Sequence, residues 1–368
     1  MKSFPAVRHL VFLFILSVIA VVGNATAQHA PIEPVPVCVT SLPLNGANEL
    51  DSTSFLEKKA EFIAHMAATH GFNKAELECS FSQIHSNDRV SRLVRPAQSI
   101  RFKNWKAYRA RFVEPIRVKA GAAFWEKYET ALALAEKQYG VPAEIIVGII
   151  GVETIYGRNT GNFRVLDVLA TLAFDYPDIL KRKARMMFFR NELEQTLLYA
   201  RESGIDPRSL RGSYAGAVGW PQFMPGSIRR YAVDFDGDGK IDLINSPVDA
   251  IGSVANFLAE HGWKRGYATV FPANVDSGCG NPLSPYINQG LAAKNTLDDL
   301  KTACVSVNMQ LPEKALFGLV DLQNGLRPTE YWLGTENFFA ITHYNRSYFY
   351  AMSVIDLGRA VRAFRNSR

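Results

Sequence analysis

Apolar positions in this chain recur mostly at helical spacing. Segments around Ser54 to His70 and Trp105 to Tyr139 place apolar residues three and four apart, with stop signals at Gly71 and Gly140, so both are expected to be helical. The stretch Pro142 to Gly157, PAEIIVGIIGVETIYG, is apolar almost all round, as a deeply buried helix should be. Gly140 suits the end of the preceding helix and Pro142 the first turn of this one. Up to Gly262 the chain reads as helices separated by short Gly, Pro and Asp punctuation. From about Trp263 to Pro328 the character changes to short β-prone pieces, YATVF, CVSVNMQL and ALFGLVDL, broken by Asn, Gly and Pro. Helical pattern resumes over Tyr350 to Phe364. The expected fold is mainly α, of the α+β class: a helical body with a small β-containing insertion.

One charge interrupts the apolar helix. Glu153 lies about three turns in, with Ile146, Ile149, Ile150 and Tyr156 on its face. A carboxyl pressed against such a surface should hold its proton towards neutral pH and be able to give it away. The bland alternative is a glutamate bonded to a buried arginine or capping a neighbouring helix, and this segment alone leaves both open. A second block, GSYAGAVGWPQFMP at Gly212 to Pro225, mixes Gly, Ala and Ser with Trp220, Gln222 and Phe223, which suits a loop where backbone nears a ligand and an aromatic face stacks on a sugar ring. A plain Gly-rich turn would look similar. Aromatic and amide residues also mix in THYNRSYFY at Thr342 to Tyr350, and WKAYRARF stands apart at Trp105 to Phe112.

The run Asp234, Asp236, Asp238, Gly239, Lys240, Asp242 follows the D-x-D-x-D-G start of an EF-hand loop, with oxygen ligands at alternate positions and a glycine at the sharp turn. Calcium is the natural ion for so many carboxylates. The twelfth position is Asn245 rather than Glu, so the closing ligand must come from elsewhere; a solvated acidic turn without an ion is the alternative. Other catalytic and metal motifs are absent: there is no HExxH, P-loop or G-x-S-x-G elbow, and His65 and His70 stand five apart rather than four.

The 368 residues are 48% hydrophobic and 21% charged, enough for a sizeable core and unlike a disordered chain. Residues 1–27 begin with basic Lys2 and Arg8, continue with an apolar run from Leu10 to Val22 and end in Ala25, Thr26 and Ala27, the order of a cleaved secretory leader. An uncleaved anchor is the rival, for which the run is short, so an exported protein without a stable membrane anchor is expected. Four cysteines, Cys38, Cys79, Cys279 and Cys304, then suggest disulfides. Three connectivities are open; Cys38 with Cys79 and Cys279 with Cys304 are favoured as nearest in sequence, and buried free thiols are the alternative. Net charge is +6, of which Lys2 and Arg8 contribute two, leaving +4 after residue 27 and a loose attraction to a carboxylate-bearing polymer such as a cell wall. The KRKAR cluster from Lys181 to Arg185 reads as a solvated helix face, and no nucleic-acid partner is expected.

Taken together, GVPAEIIVGIIGVETIYGRNTG, LDVLATLAFDYP, GSYAGAVGWPQFMP, DFDGDGKIDL with PVDAIGSVANFL, and NFFAITHYNRSYFYAMSV resemble, in order, the lytic murein transglycosylase B family of bacterial cell-wall enzymes. The resemblance runs from roughly Trp105 to the C-terminus. It implies a lysozyme-like helical catalytic core with an additional helical N-terminal domain and a small β-containing insertion. The corresponding divisions are residues 28–119 for the N-terminal helical region, 120–262 for the core with its EF-hand-like loop at 234–249, 263–333 for the β-rich insertion and 334–368 for the rest of the core.

The resemblance also implies site roles. Glu153 matches the family's single catalytic acid and base; Ser213, Gln222, Tyr344, Asn345, Tyr350 and Tyr108 match groove residues. Asp234, Asp236, Asp238, Lys240 and Asp249 match the ligands of a structural Ca2+, with no cofactor for catalysis. The implied activity is cleavage of the bond from N-acetylmuramic acid to N-acetylglucosamine in peptidoglycan strands, leaving 1,6-anhydro ends, by a periplasmic monomer that works among other cell-wall enzymes. A hydrolytic muramidase at the same groove and an inactive wall-binding scaffold are the rivals. One departure is Asp178 to Arg190, longer than usual and with Phe188 and Phe189 where a groove tyrosine is expected.

Overall fold

The computed structural model describes residues 49–96, 103–276, 278, 280, 282–287, 289–312 and 314–368, with side chains from residue 55 onward. The expected leader, Cys38 and Cys279 lie outside the described residues. In chain order the elements are α1 (Glu49–His70), α2 (Lys74–Phe81), α3 (Asp88–Leu93), α4 (Trp105–Arg109), α5 (Pro115–Lys127), α6 (Glu129–Tyr139), α7 (Ala143–Thr154), β1 (Phe163–Arg164), α8 (Val165–Phe174), α9 (Arg182–Glu202), β2 (Arg211–Gly212), α10 (Pro225–Tyr231), α11 (Pro247–Glu260), β3 (Val270–Val275), α12 (Leu297–Thr302), β4 (Val305–Ser306), β5 (Gly318–Asn324), β6 (Arg327–Gly334), α13 (Glu336–Tyr344) and α14 (Tyr348–Asn366). Among the described residues no helix is long and apolar enough to cross a membrane.

The span from Trp105 to Tyr139, expected to be helical, forms three helices. Glu114 caps α5 by accepting from the amides of Ile116 and Arg117, with Pro115 at the first helical position, so the chain breaks before it. Gly140 ends α6 at φ 74, in the left-handed region that glycine enters without a Cβ penalty. Pro142 stands one residue earlier than expected, as the N-cap of α7.

Helix α7 is the centre of the fold. Every residue from Ile145 to Val152 is buried, and α14 crosses close against it. Two glycines permit that approach: a Cβ on Gly148 would stand 2.3 Å from the Val354 carbonyl oxygen, and one on Gly358 would stand 2.2 Å from that of Glu144. Alanine ordinarily stabilises a helix interior over glycine by about 1 kcal/mol, but here backbone meets backbone and neither side can yield. Gly148→Ala is therefore expected to lower unfolding free energy by roughly 2 kcal/mol, read as a lower urea midpoint at unchanged slope.

Strands β4, β3, β6 and β5, in that order, make an antiparallel sheet with a core on each face. Val320 and Leu322 join the main helical core, while Leu319, Phe271 and Leu333 join a smaller one with Leu300, Val305 and Phe317, as the two-residue strand period requires. β6 extends beyond the β-prone pieces read from sequence. Pro328 obscured it, and the structure places Pro328 at the irregularity between the Leu322 and Asn324 pairings, where a missing N–H is tolerated. α13 also precedes the helical pattern read at the C-terminus; Thr335, fixed to the Ala268 carbonyl, caps it through the Asn337 amide. The sheet meets the N-terminal helices where Asn324 Oδ1 accepts from the Lys106 amide at 2.9 Å and Gly325 N–H donates to Lys103 at 2.8 Å.

Cys79, half-buried on α2, carries a free thiol, which corrects the expected pairing with Cys38: nearness in sequence carried no information on geometry. The expected pairing of Cys304 with Cys279 involves a residue outside the described ones.

Candidate active site

Glu153 is the penultimate residue of α7, and the chain turns sharply just beyond it. Ile155 and Tyr156 take φ values of 53 and 56, two successive non-glycine residues in the left-handed region. Each such residue costs about 1–2 kcal/mol, which surrounding contacts must offset. Those contacts are present. Thr154 Oγ1 donates to the Trp220 carbonyl at 3.0 Å and accepts from the Gly157 amide at 3.0 Å, and the Tyr156 ring is buried in the core.

The carboxyl of Glu153 is partly buried, and Tyr350, in the first turn of α14, donates its hydroxyl to Oε1 at 2.5 Å. Burial pushes the Glu153 pKa up to about 7; the tyrosine hydrogen bond, which favours the ionised form, opposes but does not cancel it. The group therefore sits at the pH where it can both give and take a proton. Its partner is a neutral hydroxyl rather than the buried arginine of the alternative reading.

Three aromatic residues surround it. Tyr344 and Tyr350 stack with ring centroids 6.4 Å apart, and Tyr344 donates to the Pro221 carbonyl at 2.9 Å. Tyr108 leans on Phe349 and Phe112. Burial first, and then the Glu153 charge, raises the pKa of Tyr108, to about 12, and of Tyr344 and Tyr350, so all three remain neutral donors at physiological pH. Asn345 closes α13 with a buried Oδ1 that has no hydrogen-bond partner among the described residues, an unsatisfied acceptor beside the tyrosines.

The Gly-rich block supplies the wall beneath. Ser213 is half-buried, and its Oγ accepts from the Ala215 and Ala217 amides at 3.3 and 3.1 Å, which leaves the hydroxyl proton to donate outward. The amide of Gln222 is committed to the backbone: Nε2 donates to the Thr160 and Gly219 carbonyls at 3.0 and 2.9 Å, so only its Oε1 is offered to a ligand. Trp220 serves as a bolt, contrary to the sugar-stacking expectation for the block. Its ring covers Gly157, whose added Cβ would stand 2.6 Å from it, and its Nε1 donates to the Ile244 carbonyl at 3.1 Å. Phe189 is buried and stacks on Tyr176, while Phe188 is largely exposed.

Sequence reasoning missed Thr154, Trp220 and Glu192 as positioning residues. Glu192 on α9 is buried and accepts from the Gly226 amide at 2.8 Å, fixing the start of α10 directly after the Gly-rich block. An acidic residue on a long helix gave no signal of that contact.

The acidic loop lies next to this wall, because Trp220 N–H donates to the Leu243 carbonyl at 2.9 Å. Carboxylate oxygens of Asp234, Asp236 and Asp249 lie within 4.8 Å of one another. Asp249, buried in α11, accepts from the amides of Phe235, Asp236 and Asp242 and closes the loop from its far side. Asn245 at the twelfth position is diverted, donating to Asp242. Asp238 accepts from the Lys240 amide and stands outside the trio. Three converging carboxylates of hard oxygen fit a cation of the calcium type.

Residues 54–359 match the family described as transglycosylase SLT domain. The chain is 43% identical over 309 residues to membrane-bound lytic murein transglycosylase B of Escherichia coli (strain K12), covering 82% of this chain and 81% of that protein. Among solved structures, soluble lytic transglycosylase SltB1 from Pseudomonas aeruginosa superposes with a TM-score of 0.76 at 42% identity, over 84% of this chain and 99% of that one. The Escherichia coli lytic transglycosylase Slt35 in complex with calcium gives a TM-score of 0.74 at 43% identity, over 84% and 94%. The chain therefore belongs to the transglycosylase SLT domain family and, within it, is a lytic murein transglycosylase of the B family.

Proposed function

We propose that Glu153 performs both proton transfers of peptidoglycan cleavage in this enzyme. The observation that carries this reading is a single carboxyl whose pKa burial lifts to about 7, held by the Tyr350 hydroxyl among three tyrosines. Protonated Glu153 donates to the oxygen that joins C1 of N-acetylmuramic acid to C4 of N-acetylglucosamine. That C–O bond breaks with its electron pair leaving on oxygen, and an oxocarbenium-like centre develops at C1, which the substrate's own acetamido group stabilises. Ionised Glu153 then takes the proton of the muramyl C6 hydroxyl as its oxygen closes on C1. The product is a 1,6-anhydro end, the acid is regenerated, and no water is consumed.

Ser213 donates to the sugar, Gln222 and Asn345 accept from it through their free oxygens, and Tyr108, Tyr344 and Tyr350 line the sites for the rings. Structures of the relative SltB3 from Pseudomonas aeruginosa with NAG-NAM-pentapeptide and NAG-anhNAM-pentapeptide support the substrate class. Digestion of purified sacculi followed by mass analysis of the glycan ends tests the reading. Anhydro ends support it; reducing ends indicate a hydrolytic muramidase, and binding without release indicates a scaffold.

Tyr350→Phe removes the hydrogen bond that favours ionised Glu153, so the Glu153 pKa rises further. The alkaline limb of the pH–rate profile is expected to move to higher pH, with kcat reduced by about 10- to 100-fold through lost positioning. An unmoved alkaline limb argues against Glu153 as the acid.

Asp234, Asp236 and Asp249, with Asp238 and the Lys240 carbonyl, would hold a calcium ion, whose charge would supply a structural clamp for the loop that anchors Trp220. The leader in residues 1–27 delivers the protein to the periplasm, where it acts as a monomer on glycan strands among other wall enzymes. Residues 28–119, 120–262, 263–333 and 334–368 are the working divisions of the chain.

A further inference from the structure

We propose a second metal site, for a zinc-type divalent cation, formed by His65, His70 and Glu194 and clasping α1 to α9. The five-residue separation of the histidines argues against such a site only within a regular helix. Here His70 is the last residue of α1, and the chain turns away directly after it at Gly71, φ 66, so the end of the helix leaves the His70 side chain free to swing towards His65. The two rings meet edge to face with centroids 6.0 Å apart.

Glu194 completes the set from α9. Its Oε2 lies 3.3 Å from His65 Nε2 and its Oε1 lies 2.9 Å from His70 Nε2, and one ligand atom from each of the three residues lies within 4.8 Å of the others. Donors of a tetrahedral zinc site, each ~2.0–2.2 Å from the ion, stand roughly 3.3 Å apart, so small side-chain rotations would admit the ion between them. Each Nε2 now faces a carboxylate oxygen, a pairing that needs either a proton or a metal ion between the two atoms.

The surroundings suit the second alternative. His65 Nδ1 has Thr69 Oγ1 at 3.3 Å, an outer partner that orients the ring with Nε2 towards the site. The nearby cations are engaged elsewhere: Arg201 donates to the His70 carbonyl at 2.7 Å and covers the Phe72 ring, and Arg229 is paired with Glu202. The side chains are 40%, 22% and 22% exposed, leaving a route for the ion and a fourth position for water. Two imidazoles and one carboxylate select zinc, cobalt or copper over calcium, which takes oxygen donors, so this site and the acidic loop do not compete for one ion.

The test uses the full chain without a polyhistidine tag, saturated with Ca2+, and titrated with Zn2+ against a chromophoric chelator and with Co2+ by visible absorption. One equivalent of Zn2+ is expected to bind and, in large excess over its dissociation constant, to raise Tm by about 5 °C. His65→Gln and His70→Gln should each weaken binding by roughly tenfold or more, and Glu194→Gln should do the same while keeping a neutral hydrogen-bonding partner for both rings. Should the variants fail to fold, the Co2+ spectrum of the wild-type protein decides: intense bands of a four- or five-coordinate site support the proposal. Weak bands of hydrated ion, or Zn2+ affinity unchanged in the His65→Gln/His70→Gln protein, would overturn it and leave a hydrogen-bonded clasp only.

Discussion

Glu153→Gln is expected to lower the release of fragments from purified sacculi by about 10⁴-fold while leaving sacculus binding intact. General acid–base catalysis contributes typically 10²–10⁴-fold for one positioned group, and here one carboxyl performs both transfers, so the upper end applies. The amide keeps the shape of the side chain and can still accept from Tyr350, but it has no proton to give at the glycosidic oxygen. Retention of even a tenth of the wild-type rate would refute the assignment.

The same substitution should stabilise the fold in a pH-dependent way. A carboxyl ordinarily near 4.5 that titrates at about 7 in the folded protein binds more protons folded than unfolded between those values. Wild-type stability from this group therefore falls as pH rises through that window, by about 3 kcal/mol in total. Below pH 4.5 both states are protonated and the penalty vanishes. The Tm advantage of Glu153→Gln over wild type should accordingly grow from near zero at pH 4 to several degrees at pH 8. An advantage independent of pH would indicate repacking rather than relief of a buried charge.

Asp249→Ala is expected to have the largest effect on stability. Its carboxylate accepts three backbone N–H groups, from Phe235, Asp236 and Asp242, and its removal leaves these donors without that partner at a buried position. At about 1–3 kcal/mol for each donor left unsatisfied, and with some reached by water, the loss is roughly 4 kcal/mol, or a Tm lower by about 8 °C. The variant should also lose any Tm rise on adding Ca2+. Because the Leu243 and Ile244 carbonyls hold Trp220, and the Trp220 carbonyl holds Thr154 beside Glu153, activity should fall with loop order, through kcat more than through KM. A calcium response equal to that of wild type would exclude Asp249 as a ligand.

The helical body was legible because its signals are local. Apolar spacing, Gly71 and Gly140 as terminators and Pro142 at a helix start each act within a few residues, and the β-prone pieces after Trp263 announced the sheet. β6 and α13 were less legible because Pro328 masks a strand whose irregular pairing tolerates it, and because α13 is fixed by a Thr335 that bonds back to Ala268. Glu153 stood out as one charge in a run of apolar residues. The partner of that charge, Tyr350, comes from a segment far away in the chain.

From the sequence alone came the fold class, the isolated carboxyl and the alternating aspartates, since patterns of residue type carry those directly. Only the tertiary structure decided that Tyr350 is the partner of Glu153, that Gln222 and Trp220 brace the loop, that Cys79 remains a thiol, and that His65 and His70 meet across Glu194. Each of these depends on distance between residues remote in sequence. Such distances are set by how helices pack, through close approaches like that of Gly148 to Val354, which no local pattern encodes.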